Sequence, residues 1–184
     1  MPTSISTTGA EPVTVDEAKL AARVDTADLD ALIGGVITAA RQQAEHITGR
    51  IYRPQVLREE LADWPAADEP VAVNAATACV VSYWDGSAWS TLSASAYVYA
   101  PEGNGTALAP MLGTNWPMLP DRAAGPRVRI DLTAGPAASA NVPEAVKLYI
   151  KASVSAWVNN PDAAGKPLAA NPLFDRLLDA ERLY

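Results

Sequence analysis

The residue types that do most enzymatic chemistry are scarce in this 184-residue chain, which has one histidine, His46, and one cysteine, Cys79. A usual zinc site needs several such ligands, so a single imidazole and a single thiol do not make one. A Ser-His-Asp triad would have to be built on His46, which falls in the last turn of a helical pattern. There an imidazole commonly just meets the negative end of the helix dipole. Cys79 has no disulfide partner and lies in an apolar strand pattern, where it reads as a small buried hydrophobe; a reactive thiol needs exposure and a nearby cation. The sequence contains no Gly-rich phosphate loop ending in Lys-Ser or Lys-Thr, no His-Glu-x-x-His, no Cys-x-x-Cys and no Gly-x-Ser-x-Gly. Nothing therefore calls for a cofactor or a metal.

Carboxylates and tryptophans leave one enzymatic possibility. Two acids drawn from Asp63, Asp85, Glu102 and Asp121 would suffice for glycoside hydrolysis. Trp64, Trp84, Trp89 and Trp116 could stack on sugar rings, or simply bury their large area in a core. A carbohydrate-binding or glycan-hydrolysing β-sandwich is thus the alternative reading.

The elements that must position these residues are legible from period and punctuation. Thr14-Val15-Asp16-Glu17 has the capping-box pattern and predicts a short helix to about Val24. Asp25 or Thr26 is the expected cap of a longer helix. In it Leu29, Leu32, Ile33, Val36, Ile37, Ala40, Ala44 and Ile47 recur at helical spacing, leaving Asp30, Thr38, Gln42 and Glu45 outside, and Gly49 ends it. From Gln55 to Thr133 the chain turns into short β-prone pieces: Val56 to Leu61, Val71 to Val73, Ala78 to Trp84, Trp89 to Leu92, Tyr97 to Tyr99 and Val128 to Leu132. Asp85-Gly86 between apolar runs predicts a tight hairpin. Pro101 to Asp121, rich in Pro and Gly, predicts an extended loop. Asn141-Val142-Pro143-Glu144 opens a helix whose stripe is Val142, Val146, Tyr149, Ile150 and Trp157, with Lys147, Lys151 and Ser155 off it. A linker, Pro161 to Ala170, precedes a short helix bearing Phe174, Leu177 and Leu178, which serves either core packing or docking.

The fold class expected is α+β: a helical bundle of an N-terminal helix pair plus C-terminal helices, with an inserted small antiparallel β-sheet or sandwich. Residues 1–12 are a flexible arm and 13–160 the main domain (helices 13–50, β insertion 51–135, helix 141–160). Residues 161–184 are a linker and docking helix. Net charge is −7. Acids outnumber bases seven to four in residues 1–50 and nine to five in 51–132, and the numbers are equal, at five each, thereafter. That balance argues against gripping phosphates, which needs Lys and Arg to displace counterions; acidic walls would instead let DNA slide past. No run is apolar enough to span a bilayer, and the first residues lack a signal peptide's pattern, so no membrane role is expected and the host cytoplasm is the expected compartment.

In order along the chain, Val13-Thr14-Val15-Asp16-Glu17-Ala18-Lys19, Arg23-Val24, Ala39 to Glu45 and Thr48-Gly49-Arg50 resemble the opening of the head-tail connector family of tailed bacteriophages, also called adaptor or head-completion proteins. The similarity continues through Asp63-Trp64-Pro65, Val81 to Gly86, Trp116-Pro117, Arg127 to Gly135 and Val142 to Lys147. It departs at the Pro101 to Asp121 loop and at the C-terminal end. The resemblance implies a virion structural protein of the neck, without catalysis, that joins the portal of a DNA-filled capsid to the tail. It implies a ring of twelve copies around a channel through which DNA passes without sequence-specific binding. Implied partners are the portal protein, a tail-side neck protein (stopper or tail terminator) and further copies of the chain. Portal docking is expected from Pro172, Leu173, Phe174, Leu177, Leu178 and Tyr184. The acids Asp16, Glu17, Asp25, Asp28 and Asp30 line the channel or form an ordinary solvated helix face.

Overall fold

Val128-Arg129-Ile130-Asp131-Leu132-Thr133-Ala134 alternates apolar and polar residues without a break, which suits a strand with one dry face and one wet face. In a computed structural model, which describes residues 3–66, 69–71, 76–103, 105–121, 124–159 and 176–182, that strand forms, with Val128, Ile130, Leu132 and Ala134 buried and the residues between them only partly so. In chain order the strands are β1 Thr3–Thr7, β2 Gln55–Leu61, β3 Ala78–Trp84, β4 Trp89–Thr91, β5 Tyr97–Glu102, β6 Gly105–Pro110 and β7 Val128–Ala134; the α-helices are α1 Val15–Ala22, α2 Asp30–Thr48 and α3 Glu144–Asn159. The protein is therefore mixed α+β. Two compact units divide it. A β unit runs through Thr8 and over Pro54–Gly135, and a helical unit takes Gly9–Arg53 and the described residues after Gly135. No helix among the described residues is long and apolar enough to cross a membrane.

The β unit is a five-stranded antiparallel sheet, in the order β1-β2-β7-β3-β4, with β5 and β6 forming a separate two-stranded ribbon. β7 sits at the centre, so its alternation sets the register of both neighbours. The dry face takes Leu57 of β2 and Cys79 and Val81 of β3. The wet face carries cross-strand charge: Arg58 lies opposite Asp131 and donates to both its carboxylate oxygens at 2.7 Å, and Glu60 accepts from Arg129 Nε at 2.8 Å. Tyr97, buried on the ribbon, donates its hydroxyl to the Cys79 carbonyl at 2.7 Å and anchors the ribbon to β3.

Two strands lie where none was expected. Thr3–Thr7 falls within the segment read as an arm without periodicity; all five of its side chains are exposed, so no apolar face marks it, and backbone pairing with β2 makes it a strand. Gly105–Pro110 falls within the expected loop. It pairs with β5 across a turn in which Gly103 has φ +53°, and Gly105 presses so closely on the Val71 carbonyl that a Cβ there would overlap it. Val71 itself makes a single bridge to Thr106; residues 72–75 lie outside the described set.

In the helical unit Thr14 caps α1 as its spacing predicts: its hydroxyl accepts from Glu17 N at 3.2 Å, and Glu17 returns the bond to Thr14 N at 2.9 Å. The second helix begins later than expected. Its first residue is Asp30, and neither Asp25 nor Thr26 caps it. Arg23 ends α1 in the left-handed region (φ 57°), and Lys19 pairs with Asp30 at 2.7 Å, so residues 25–29 are taken up in turning between the helices. Val13, Ala18, Ile33, Ile37, Ala44, Val146, Ile150, Val154 and Leu178 are fully buried in one core shared by the three helices.

Candidate functional site

One polar cluster is enclosed in the helical unit. Arg41 lies on the buried side of α2 and is only 6% exposed. Buried guanidinium groups persist when they are paired, and Arg41 bridges two carboxylates: Glu11 at 2.8 Å and Glu45 one turn along the helix. Glu11 also accepts from Arg53 at 2.8 Å and from the Thr38 hydroxyl at 3.1 Å; Glu45 accepts from the Tyr52 backbone N–H at 2.8 Å. Arg53 Nε donates to the Gly9 carbonyl at 2.8 Å. The cluster thus ties the chain's entry into this unit, at residues 9–11, to its exit at 52–53. Burial pushes the Glu45 carboxyl above its ordinary value, against the Tyr52 hydrogen bond and the Arg41 charge. Glu45, expected on the solvated face, belongs to this lock. The only sequence signal for it is the Arg41-Glu45 spacing of i,i+4 beside an apolar stripe.

The five expected channel acids occupy different surroundings. Asp16 and Glu17 are exposed in the first turn of α1, where the Thr14 backbone N–H holds the Glu17 carboxyl below its usual range. Asp25 and Asp28 are exposed beyond the other end of that helix. Eight residues of helix span about 12 Å, so the acids form two groups rather than one patch. Asp30 is ion-paired with Lys19.

Of the expected docking residues, Pro172, Leu173, Phe174 and Tyr184 lie outside the described residues. Leu177 is half-buried. Leu178 is corrected from docking to packing, because its side chain is fully buried and belongs to the core cluster of the helical unit.

Of the residues weighed for glycan chemistry, Glu102 and Asp121 are exposed, whereas Asp63, Asp85 and the four tryptophans are held by their neighbours. Asp85 accepts from the backbone N–H groups of Ala88 and Ser87 and from the hydroxyls of Ser87 and Ser90, which holds its carboxyl far below the usual range and fixes the β3–β4 turn, where Gly86 has φ +106°. Asp63 pairs with Arg127 at 3.2 Å. Trp64 stacks on Trp116 with centroids 4.6 Å apart and planes 7° from parallel, tilts against Tyr83 at 6.0 Å, and donates its indole N–H to the Pro117 carbonyl at 2.9 Å. Trp84 meets Trp89 edge-on at 6.1 Å, and the Arg129 guanidinium sits 3.8 Å over the Trp89 ring. A cleft of about 240 Å³ beside Trp64 is lined by Glu59, Asp63 and Glu69 among apolar residues. Cys79 is buried, and its thiol is pushed up to about 12, first by burial and then by the Asp131 charge. His46 is exposed. Among the described residues no group of three or more His, Cys, Asp or Glu side chains is placed to hold a metal ion.

No protein-family model matches the sequence, and no curated protein matches it. Solved structures do share the fold. A chain in the neck of an empty GTA particle, computed with C6 symmetry, superposes with a TM-score of 0.74 at 22% identity, over 100% of this chain and 96% of that one. A chain in the virion of a native gene transfer agent (GTA) particle gives 0.72 at 21% identity, and one in the neck of a native GTA particle, computed with C12 symmetry, gives 0.71 at 20%; each covers 100% of this chain and 96% of the other. At these identities the likeness is one of fold.

Proposed function

We propose that this chain is a structural component of the neck of a tailed, phage-like particle: an adaptor that joins the portal of a DNA-filled capsid to the tail. The observation that carries the reading is the fold it shares, over its whole length, with chains from gene transfer agent particles, two of them from necks. On this reading the chain resides in the virion at the head-tail interface, is present in the host cytoplasm during assembly and catalyses nothing. The three helices form a small bundle, and twelve copies close a ring around the DNA channel. A ring joint must resist distortion while DNA moves through it; a dry helical core closed by the Arg41 lock suits that demand.

Pro172, Leu173, Phe174, Leu177 and Tyr184 contact the portal, without Leu178. The β unit meets a tail-side stopper or tail terminator, or adjacent subunits. Asp16, Glu17, Asp25 and Asp28 form a low-adhesion wall for DNA that is not bound by sequence, with Asp30 contributing less because Lys19 offsets its charge. The test is imaging of the full chain mixed with a purified portal. A coaxial ring stacked on the portal is expected, and it should be lost on replacing Pro172, Leu173 and Phe174 by serine, with Leu178 kept because it belongs to the helical core. Absence of a stacked ring with the intact chain would overturn the assignment.

A further inference from the structure

Tyr52 carries a hydroxyl that the packing of the helical unit encloses without using. The residue follows α2, is only 3% exposed and belongs to the helical core, yet no protein group forms a hydrogen bond with its phenol oxygen. The neighbouring Thr48 hydroxyl is committed elsewhere: it donates to the Ala44 carbonyl at 2.8 Å and accepts from the Arg50 backbone N–H at 3.3 Å. Tyr52 is also poorly placed to shift towards a partner. Its backbone N–H is held by Glu45 at 2.8 Å, and the next residue, Arg53, is held by Gly9 and Glu11.

The short 3-10 turn Asp179–Glu181 meets the unit at this phenol. Burial pushes the Tyr52 hydroxyl above its ordinary value; the nearby Thr48 hydroxyl acts against that rise, and the charge of Glu181 adds to it. Arg50, two residues before Tyr52, donates from Nε to the Glu181 carbonyl at 2.7 Å in an exposed bond. Leu178, just before the turn, is fully buried in the same core cluster as Tyr52, and Leu177 is half-buried. The other polar contacts of the turn are internal to it: the Glu181 N–H donates to the Leu178 carbonyl at 3.0 Å, and Arg182 pairs with Asp179 at 3.3 Å. Among the described residues, the turn is thus held to the unit by leucine burial and one exposed hydrogen bond.

These contacts set a gain against a cost of similar size. Burying Leu178 and bonding Arg50 favour the closed turn, whereas taking the Tyr52 hydroxyl out of water without giving it a protein partner disfavours it. A segment balanced in this way opens locally, without the global transition. We infer that residues 178–182 are a latch, which closes on the phenol end of Tyr52 and opens while α1, α2 and α3 stay folded, releasing Leu178 and returning the Tyr52 hydroxyl to water. The latch goes beyond the neck reading and does not depend on it.

Full-length variants test it. Tyr52→Phe keeps the ring and removes the stranded oxygen, so its Tm is expected to match or exceed that of the wild type. A lower Tm means that the hydroxyl is bonded in the closed form, and overturns the inference. Thiol labelling under native conditions reads the opening itself. The thiol introduced by Leu178→Cys should be modified at least tenfold faster than that introduced by Val146→Cys, which lies on α3 in the same core; mass spectrometry separates both from the buried native Cys79. Equal rates put position 178 behind the global unfolding barrier and overturn the latch, as does loss of the far-UV helix signal in Leu178→Cys. Adding Tyr52→Phe to Leu178→Cys should slow labelling at least threefold, because closure then strands no oxygen. An unchanged or faster rate overturns the inference. This last comparison uses position 178 alone, so it decides even where Val146→Cys does not fold.

Discussion

The two units of this chain both contain bidentate or bridging arginines, and they use them differently. In the β unit Arg58 and Asp131 face each other across neighbouring strands on the wet side of the sheet, with their side chains about a third and a quarter exposed. The pair is a local consequence of register. In the helical unit the Arg41 side chain is enclosed, and its partners come from 30 residues away and from the next turn of its own helix. Here the pair closes the unit, because Glu11 and Arg53 mark where the chain enters and leaves it. The same chemistry is decoration on a self-sufficient sheet in one place and a condition of closure in the other, since desolvation makes a buried charge costly to leave alone.

The largest expected effect tests that contrast directly. Arg41→Ala removes the buried guanidinium shared by Glu11 and Glu45, leaving Glu45 without its ion-pair partner, and should cost about 3–5 kcal/mol. In urea titrations the helical signal should fall first, while the fluorescence of Trp64, Trp84, Trp89 and Trp116 in the β unit moves less. A loss under about 1 kcal/mol would remove the distinction between the units. Next in size, Gly105→Ala forces a Cβ onto the Val71 carbonyl and Pro70 and should cost about 1–3 kcal/mol, read mainly in the β-unit tryptophan signal. An unchanged midpoint would show that the ribbon yields freely. Smaller still, a double-mutant cycle on Arg58→Ala and Asp131→Ala should return a coupling of about 1 kcal/mol or less. A value matching the Arg41 loss would break the comparison from the other side.

The last contrast is in acid. The folded-state value of Glu45 is raised by burial, so the native state holds its proton more readily than the unfolded chain. The contribution of Glu45 to stability therefore grows as pH falls through that raised value, and it is reduced above it. Asp85 is lowered, so the stability it contributes is present above the ordinary carboxylate value and fades as pH falls below it. Stability measured against pH for Glu45→Gln and Asp85→Asn should change slope in opposite directions. Parallel changes would mean that one of the two carboxylates is not held as described.

Features decided within a few residues were legible in advance. The Thr14-Glu17 cap and the Asp85-Gly86 turn depend on spacings of three residues or fewer, and both formed where the sequence placed them. The alternation of β7 likewise carries its own burial pattern. Features set by distant partners were not legible. The start of α2 moved from Asp25 or Thr26 to Asp30 because Arg23 and the Lys19 pair govern the turn before it. β1 has no dry face to betray it, and β6 looked like a loop because Gly103 before it serves a turn and its own Gly105 a close approach. Leu178 looked like a docking residue because periodicity reports an apolar side chain without saying what it will touch.

The sequence alone determined the mixed α+β character, the scarcity of nucleophiles and metal ligands, the acidic balance and the caps and turns, since composition and short spacings are properties of the chain itself. Only the tertiary structure decided that Trp64 and Trp116, 52 positions apart, would stack; that Arg41 would be enclosed between Glu11 and Glu45; and that Leu20, Leu32 and Leu148 would be left outside. The physical reason is that burial and charge pairing depend on which segments meet, and loop-closure entropy allows many such meetings at similar cost until the packed core selects one.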